Sequence, residues 1–133
     1  MKKVLIIGFC VPDAKRLSLG LVSLFKVRVV QLERIYDLKE YLKEKEADLI
    51  VINRVIDADK SSGMEILDHL RLGNTKIPTV ITTGIVKYQK EVLRKGATLT
   101  FDLDLLIGTI GKKRQKQKDE IVLRIREILR QVN

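Results

Sequence analysis

The stretch ADLIVINRVIDADKSSG, residues 47–63, decides the fold of this chain. Residues 49–52 form a short apolar run rich in β-branched side chains, which is typical of a strand buried on both faces of a parallel sheet. A polar loop and then a helical pattern follow directly, as expected for a strand that leads into a crossover helix. In open α/β sheets, ligands and chemistry collect at the carboxyl ends of the strands. Asn53, which leaves this strand, is therefore the first candidate site residue.

The rest of the chain repeats this alternation of strand and helix. Four further apolar runs predict strands, at 3–8, 27–32, 77–83 and 98–103. Apolar residues at helical spacing predict helices at about 12–26, 34–46, 63–72, 86–95 and 115–132. The order βαβαβαβαβα predicts an α/β fold with five parallel strands and helices on both faces, in three αβα layers. The charged Arg28 suggests that the second strand lies at an edge of the sheet.

Length and composition narrow the class of protein. We expect the 133 residues to form one domain over 1–133, with one hydrophobic core. No stretch approaches the roughly 20 apolar residues of a membrane helix, so no membrane association is expected. The apolar run after Lys2 and Lys3 predicts a first strand, because charged residues follow it and no cleavage site does. The single cysteine allows no internal disulfide, which fits a cytoplasmic protein.

The positive charge is concentrated at the end of the chain. Residues 112–133 contain 8 of the 26 basic side chains but only 3 of the 17 acidic ones, and so contribute more than half of the net charge of +9. The densest part is KKRQKQK, at 112–118. Such a run is most often solvated, but it also suits an acidic protein surface or nucleic-acid phosphates. It contains no aromatic side chain that could stack on bases.

At this point the chain resembles the receiver domain of bacterial response regulators, a CheY-like, flavodoxin-like fold. Four motifs carry the resemblance: KVLIIGFC at 3–10, ADLIVIN at 47–53 with SGMEILDHLR at 62–71, IPTVITTG at 77–84, and GATLTFDLD at 96–104. The resemblance covers nearly the whole chain and implies the strand order 2-1-3-4-5. It also implies a role in two-component signalling, in which a partner kinase phosphorylates a receiver aspartate beside a magnesium ion.

The resemblance also shows where this chain departs from the family pattern. Asn53 stands at the phospho-acceptor position, Gly8 and Phe9 stand where an acid pair would hold magnesium, and Leu103 stands at or near the lysine position. Only Thr83 retains the expected type of side chain, a switch hydroxyl. An amide cannot form an acyl phosphate, and magnesium needs hard oxygen ligands. These residues predict a pseudo-receiver that is not an enzyme, binds no metal or cofactor, and acts through protein contacts.

Two alternatives remain open at this stage. Asp57 and Asp59, in a loop about two residues longer than usual for the family, could rebuild a cation site and support phosphorylation. The basic run could make the chain a nucleic-acid-binding module. The resemblance implies an interaction face for a kinase, a regulator or a second copy of the chain, so that a homodimer is one expectation. The residues expected on this face are Tyr88, Phe101, Lys112, Lys113, Arg114, Lys116 and Lys118, although Phe101 equally fits the core.

Overall fold

The computed structural model describes residues 1–131 and contains five strands and six helices within them. The strands are β1 Lys3–Ile7, β2 Arg28–Leu32, β3 Leu49–Asn53, β4 Thr79–Thr82 and β5 Leu99–Phe101. The helices are α1 Val11–Phe25, α2 Ile35–Glu44, α3 Gly63–Leu72, α4 Val86–Arg94, α5 Asp104–Ile107 and α6 Lys112–Gln131. No helix within residues 1–131 is long and apolar enough to cross a membrane.

The five strands form one parallel sheet in the order β2-β1-β3-β4-β5. The predicted fold class and strand order are therefore confirmed, and β2 lies at an edge as Arg28 suggested. Because all five strands run in the same direction, their carboxyl ends meet along one edge of the sheet. Asn53 on β3 lies opposite Thr82 on β4 at this edge.

Two apolar layers hold the helices to the sheet, because successive side chains of a strand point to opposite faces. Val4 and Ile6 of β1 face the layer that contains α1, α5 and α6. Leu5 and Ile7 face the layer that contains α2, α3 and α4. Strands β1, β3 and β4 are buried on both faces along almost their whole length, which explains the continuous apolar runs in β1 and β3.

The chain after β5 differs from the prediction. A short helix, α5, precedes the closing helix, and it is anchored by the buried Leu105 and Leu106. Helix α6 begins at Lys112 rather than near 115, so the basic run forms its first two turns. Lysine, arginine and glutamine are good helix formers, which explains why the run continues the helix instead of leading into it. Val132, at the end of the predicted apolar stripe, lies outside the described residues.

Candidate functional site

The Asn53 amide links three strand ends at the carboxyl edge of the sheet. Its Nδ2 donates to the carbonyl oxygen of Val55 at 2.9 Å and to that of Gly8 at 3.4 Å. Its Oδ1 accepts a hydrogen bond from the Thr82 hydroxyl at 3.2 Å. Both amide hydrogens and the amide oxygen are therefore engaged. Only an amide fits this pattern, because a carboxylate has no hydrogen to donate to the two carbonyl groups.

The space beside Gly8 is filled by an apolar side chain. Gly8 has a φ of +88°, and a Cβ at this position would collide with Cδ1 of Ile56 and lie 3.2 Å from its Cα. Ile56 itself is fully buried. The loop is held in place because the Asp57 N–H donates to the Gly8 carbonyl at 2.9 Å. Phe9, the next residue, is half-buried and packs against the layer that contains α1.

The two loop carboxylates are engaged in local contacts. The loop closes as a small antiparallel turn, with a bridge between Val55 and Ser62. Asp57 forms an exposed ion pair with Lys60 at 3.2 Å. Asp59 accepts hydrogen bonds from the Ser61 hydroxyl at 2.6 Å and the Ser61 N–H at 3.0 Å, and these bonds lower the pKa of the Asp59 carboxyl. Within residues 1–131, no three acidic, histidine or cysteine side chains come together as a metal site.

The end of β4 carries two buried hydroxyl groups with different contacts. The Thr82 hydroxyl reaches Asn53, as described above. The Thr83 hydroxyl accepts a hydrogen bond from the Ile85 N–H at 3.2 Å. The Thr83 carbonyl accepts from the Gln89 side chain at 2.8 Å, which ties the start of α4 to the end of β4. Thr83 thus lies beside the site and organises α4, whereas Thr82 contacts Asn53 directly.

The end of β5 carries a carboxylate instead of an ammonium group. Leu103 is half-buried and packs against the apolar layer of α1, α5 and α6. The preceding residue, Asp102, forms a 3.2 Å ion pair with Arg114 of α6 and accepts the Asp104 N–H at 3.1 Å. This pair fastens the start of α6 to the carboxyl edge of the sheet. The basic run therefore lies at the same edge as Asn53.

The expected interaction face needs one correction. Phe101 is only 2% exposed and belongs to the core between the sheet and α1, α5 and α6, so its side chain offers almost no surface to a partner. Phe101 faces the core because its place in β5 alternates with that of Thr100, which bonds to the Ile81 carbonyl at 2.7 Å. Tyr88 is half-buried, and the Arg54 guanidinium lies over its ring at 4.2 Å from the centroid.

The basic residues of α6 fall into two groups. Lys112, Lys113 and Lys116 are exposed, whereas Lys118 is half-buried. Arg114 is also half-buried and engaged with Asp102. The first turn of α6 contains no acidic residue, although the positive end of a helix favours negative charge. The exposed lysines therefore leave a concentrated positive charge at the end of this helix.

Comparison with solved structures gives the class of this fold. The chain is similar to a response regulator receiver protein from Pseudoalteromonas atlantica, with 15% identity, 96% and 97% coverage of the two chains, and a TM-score of 0.73. It is also similar to the receiver domain of NtrX from Brucella abortus (14%, 96% and 98%, 0.71) and to that of the Francisella response regulator 1452 (17%, 98% and 98%, 0.67). No protein-family profile and no curated protein matches the sequence. The chain thus has the receiver-domain fold over almost its entire length.

Three contacts of this site were not found from the sequence. The resemblance singled out Thr83, whereas the hydroxyl that contacts Asn53 belongs to Thr82, because two adjacent hydroxyl residues give no sign of which one faces β3. Ile56 was not singled out, although an apolar residue inside an otherwise polar loop is a signal of burial. Asp102 was not recognised as the partner of Arg114, since the two residues are twelve positions apart and belong to different elements.

Proposed function

We propose that this chain is a receiver-type signalling module that acts through contacts with proteins and is not phosphorylated at Asn53. The observation that carries this proposal is the hydrogen bonding of the Asn53 amide. Its nitrogen donates to the carbonyl groups of Gly8 and Val55, and its oxygen accepts from the Thr82 hydroxyl. Its nitrogen and oxygen serve to hold loops together, and it has no ionised oxygen that could attack a phosphoryl donor. Asn53 would then have a structural role at the position where receiver domains carry their acceptor aspartate.

The surroundings of Asn53 do not fit a magnesium ion either. Magnesium in phosphate-transfer sites is held by one or two carboxylates with water and phosphate oxygens. Gly8 and Phe9 provide no carboxylate, and the side chain of Ile56 occupies the space over Gly8. Asp57 and Asp59 are committed to Lys60 and Ser61. These contacts support the proposal that signalling does not pass through a metal-assisted phosphoryl transfer.

Incubation with acetyl phosphate and magnesium chloride tests this proposal directly. We expect the intact mass of the purified protein to stay unchanged, since neither an acceptor aspartate nor a metal site is in place. A receiver domain with the full set of acidic residues serves as the positive control. A phosphoryl adduct that disappears in Asp57→Asn or Asp59→Asn would instead establish the loop carboxylates as acceptors and overturn the proposal.

The docking surface that we propose lies between α4, β5 and α6. A groove of about 220 Å³ in this region is lined by Gln89, Thr100, Asp102, Arg114 and Gln117, among others. Tyr88 and the Arg54 stacked on it lie on the neighbouring part of α4 and the β3–α3 loop. The exposed lysines of α6 adjoin the groove in sequence, so we propose an acidic protein partner, which positive charge would attract over a distance.

One observation favours nucleic acid as a second candidate partner. Lys112, Lys113 and Lys116 are all exposed in the first turns of α6, at the positive end of the helix dipole. Helix N-termini and lysine side chains both contact phosphate groups in nucleic-acid complexes. Binding of this kind would be independent of base sequence, because the run has no aromatic side chains for stacking.

Neutralising the exposed lysines of α6 tests whether nucleic acid binds at this helix or is attracted only by the positive charge of the chain as a whole. We expect the Lys112→Gln, Lys113→Gln, Lys116→Gln protein to bind a duplex DNA or RNA probe more weakly, with the slope of log affinity against log salt reduced by about 2 to 3. The matched control replaces Lys15, Lys39 and Lys76, which are exposed elsewhere, with glutamine. Equal slopes for the two variants would show that α6 is not the nucleic-acid-binding surface.

A further inference from the structure

The outer edge of β2 has backbone groups available for pairing with another strand. β2 is the first strand in the sheet order and, among the residues that the structure describes, pairs with β1 alone. The Arg28 N–H donates to the Lys2 carbonyl, and the Leu32 carbonyl accepts from the Gly8 N–H. Residues 28, 30 and 32 therefore direct their backbone groups toward β1. Residues 29 and 31 direct theirs outward, because the direction alternates along a strand.

Two grooves flank this edge, one acidic and one mainly apolar. Gln31, Leu32 and Glu33 line both of them. The groove on the α2 side, about 530 Å³ in volume, contains four carboxylates and a single ammonium group. The carboxylates belong to Glu33, Asp37, Glu40 and Glu44, of which Glu40 pairs with Lys43 and Asp37 accepts the Glu33 and Arg34 N–H groups. The groove on the α1 side is smaller, about 160 Å³, and is lined mainly by apolar side chains. An added strand would place alternate side chains in an acidic and in an apolar groove.

The side chains of β2 supply one cation for the acidic groove. Val30 and Leu32 pack on the α2 side, so Arg28 projects to that side as well. Val29 packs on the α1 side, where Gln31 also bonds to Ser18. Arg28 is exposed, and it forms no ion pair within residues 1–131. The strand therefore carries a free cation on the same face as the acidic groove.

We propose that two copies of this protein associate through their β2 strands, paired antiparallel about a two-fold axis at Val30. Val29 of each copy lies opposite Gln31 of the other, so that the two outward-directed residues exchange hydrogen bonds. A shift of one residue would place an outward-directed residue opposite an inward-directed one and remove these bonds. The two five-residue strands overlap completely in this register and join the two sheets into one sheet of ten strands.

The same register brings opposite charges together. Arg28 of each copy lies opposite Leu32 of the other copy, which lines the acidic groove. Residues directly opposite each other in an antiparallel pair project to the same face of the sheet. The Arg28 guanidinium therefore extends toward the part of the acidic groove beside Leu32 of the second copy, which Glu33 and Asp37 line, and the symmetry repeats this contact. An unrelated extended peptide would need a cation at the position that Arg28 already occupies in this chain.

A pair of complementary charge variants tests this dimer. Sedimentation equilibrium of the full chain should show a reversible dimer, and Arg28→Glu should raise its dissociation constant about a hundredfold because the introduced carboxylate would face the acidic groove. Glu33→Lys should weaken the dimer similarly, since Arg28 would then meet a lysine. A mixture of the two variants should recover the association, because each new charge finds its opposite. Circular dichroism checks that both variants are folded.

The backbone contacts have their own test. Gln31→Pro removes an outward-directed N–H and should abolish the dimer, whereas Gln31→Thr keeps this N–H and should retain it. The proposal is overturned if the wild-type chain remains monomeric at the highest concentrations reached, or if the dimer persists in Arg28→Glu and Gln31→Pro. It is also overturned if the mixture of charge variants stays monomeric. None of these outcomes depends on whether Asn53 is phosphorylated.

Discussion

Replacement of Asn53 by aspartate is expected to lower the free energy of unfolding by about 2 kcal/mol near neutral pH. The carboxylate would face the carbonyl oxygens of Val55 and Gly8, to which the amide now donates at 2.9 and 3.4 Å. Both contacts would change from attraction to repulsion. Urea denaturation monitored by circular dichroism measures the loss as a shift in the midpoint at constant slope.

Asn53→Ala is the matched control, because it removes the same hydrogen bonds without adding a charge. We expect Asn53→Asp to be the less stable of the two variants at neutral pH. The difference should shrink in acid, since a protonated carboxyl group can donate a hydrogen bond again. The sign follows from linkage: interaction with two carbonyl groups favours the protonated form in the folded state, so stability falls as the carboxyl group ionises. Equal stability of Asn53→Asp and wild type would contradict this account.

The same variant has a chemical readout. Restoring the aspartate is expected not to restore phosphorylation by acetyl phosphate and magnesium, because Gly8, Phe9 and Ile56 still provide no site for the ion. The measurement is intact mass before and after incubation, on protein shown to be folded. Efficient labelling of Asn53→Asp would mean that the wild-type surroundings already support the chemistry, and that only the acceptor was missing.

The sequence was sufficient to predict the sheet because hydrophobic patterning specifies buried parallel strands directly. The runs at β1 and β3 are apolar on both faces, and the structure buries both faces. Arg28 indicated the edge strand for the same reason, since a charged side chain is rarely placed in a strand covered on both sides. Helix α5 was missed because its four residues are too few to show a helical period.

The candidate site was predictable in position but not in its contacts. Asn53 was located from the strand that it ends, because ligands gather at such ends. The hydrogen bonds of its amide to Gly8, Val55 and Thr82 could not be predicted, because these residues come close to Asn53 only once the strands are paired in register. Phe101 was assigned to the surface by analogy with receiver domains, whereas its burial follows from the alternation of side chains along β5.

At the carboxyl edge of the sheet, packing and neutral hydrogen bonds stand where the resemblance to receiver domains implies charged side chains. An amide stands at the end of β3, an isoleucine fills the space beside β1, and a leucine follows β5. Among the charged groups at this edge, Asp102 pairs with Arg114 and Asp57 pairs with Lys60. Such an edge is held in one arrangement by its own contacts, which suits a module whose surface is read by partners without a phosphoryl switch.

Replacement of Gly8 by alanine is expected to reduce the free energy of unfolding by about 2 to 5 kcal/mol, the sum of two separate costs. A Cβ costs about 1–2 kcal/mol in the left-handed conformation, which Gly8 adopts with its φ of +88°. The Cβ would also collide with Cδ1 of Ile56, and overpacking of this kind typically costs about 1–3 kcal/mol. Urea denaturation of the variant beside wild type measures the total.

A double-mutant cycle separates the two causes, because Ile56→Val removes the atom in collision while leaving the backbone unchanged. Alone, Ile56→Val should cost about 0.5–1.5 kcal/mol, since Ile56 is fully buried. Combined with Gly8→Ala, it should recover about 1 kcal/mol or more relative to the sum of the single changes. The strain at φ +88° and the 3.2 Å approach to the Ile56 Cα would remain in the double variant. Strict additivity of the two substitutions would show that Ile56 does not occupy the space beside Gly8. The argument against an acidic group at position 8 would then rest on backbone conformation alone.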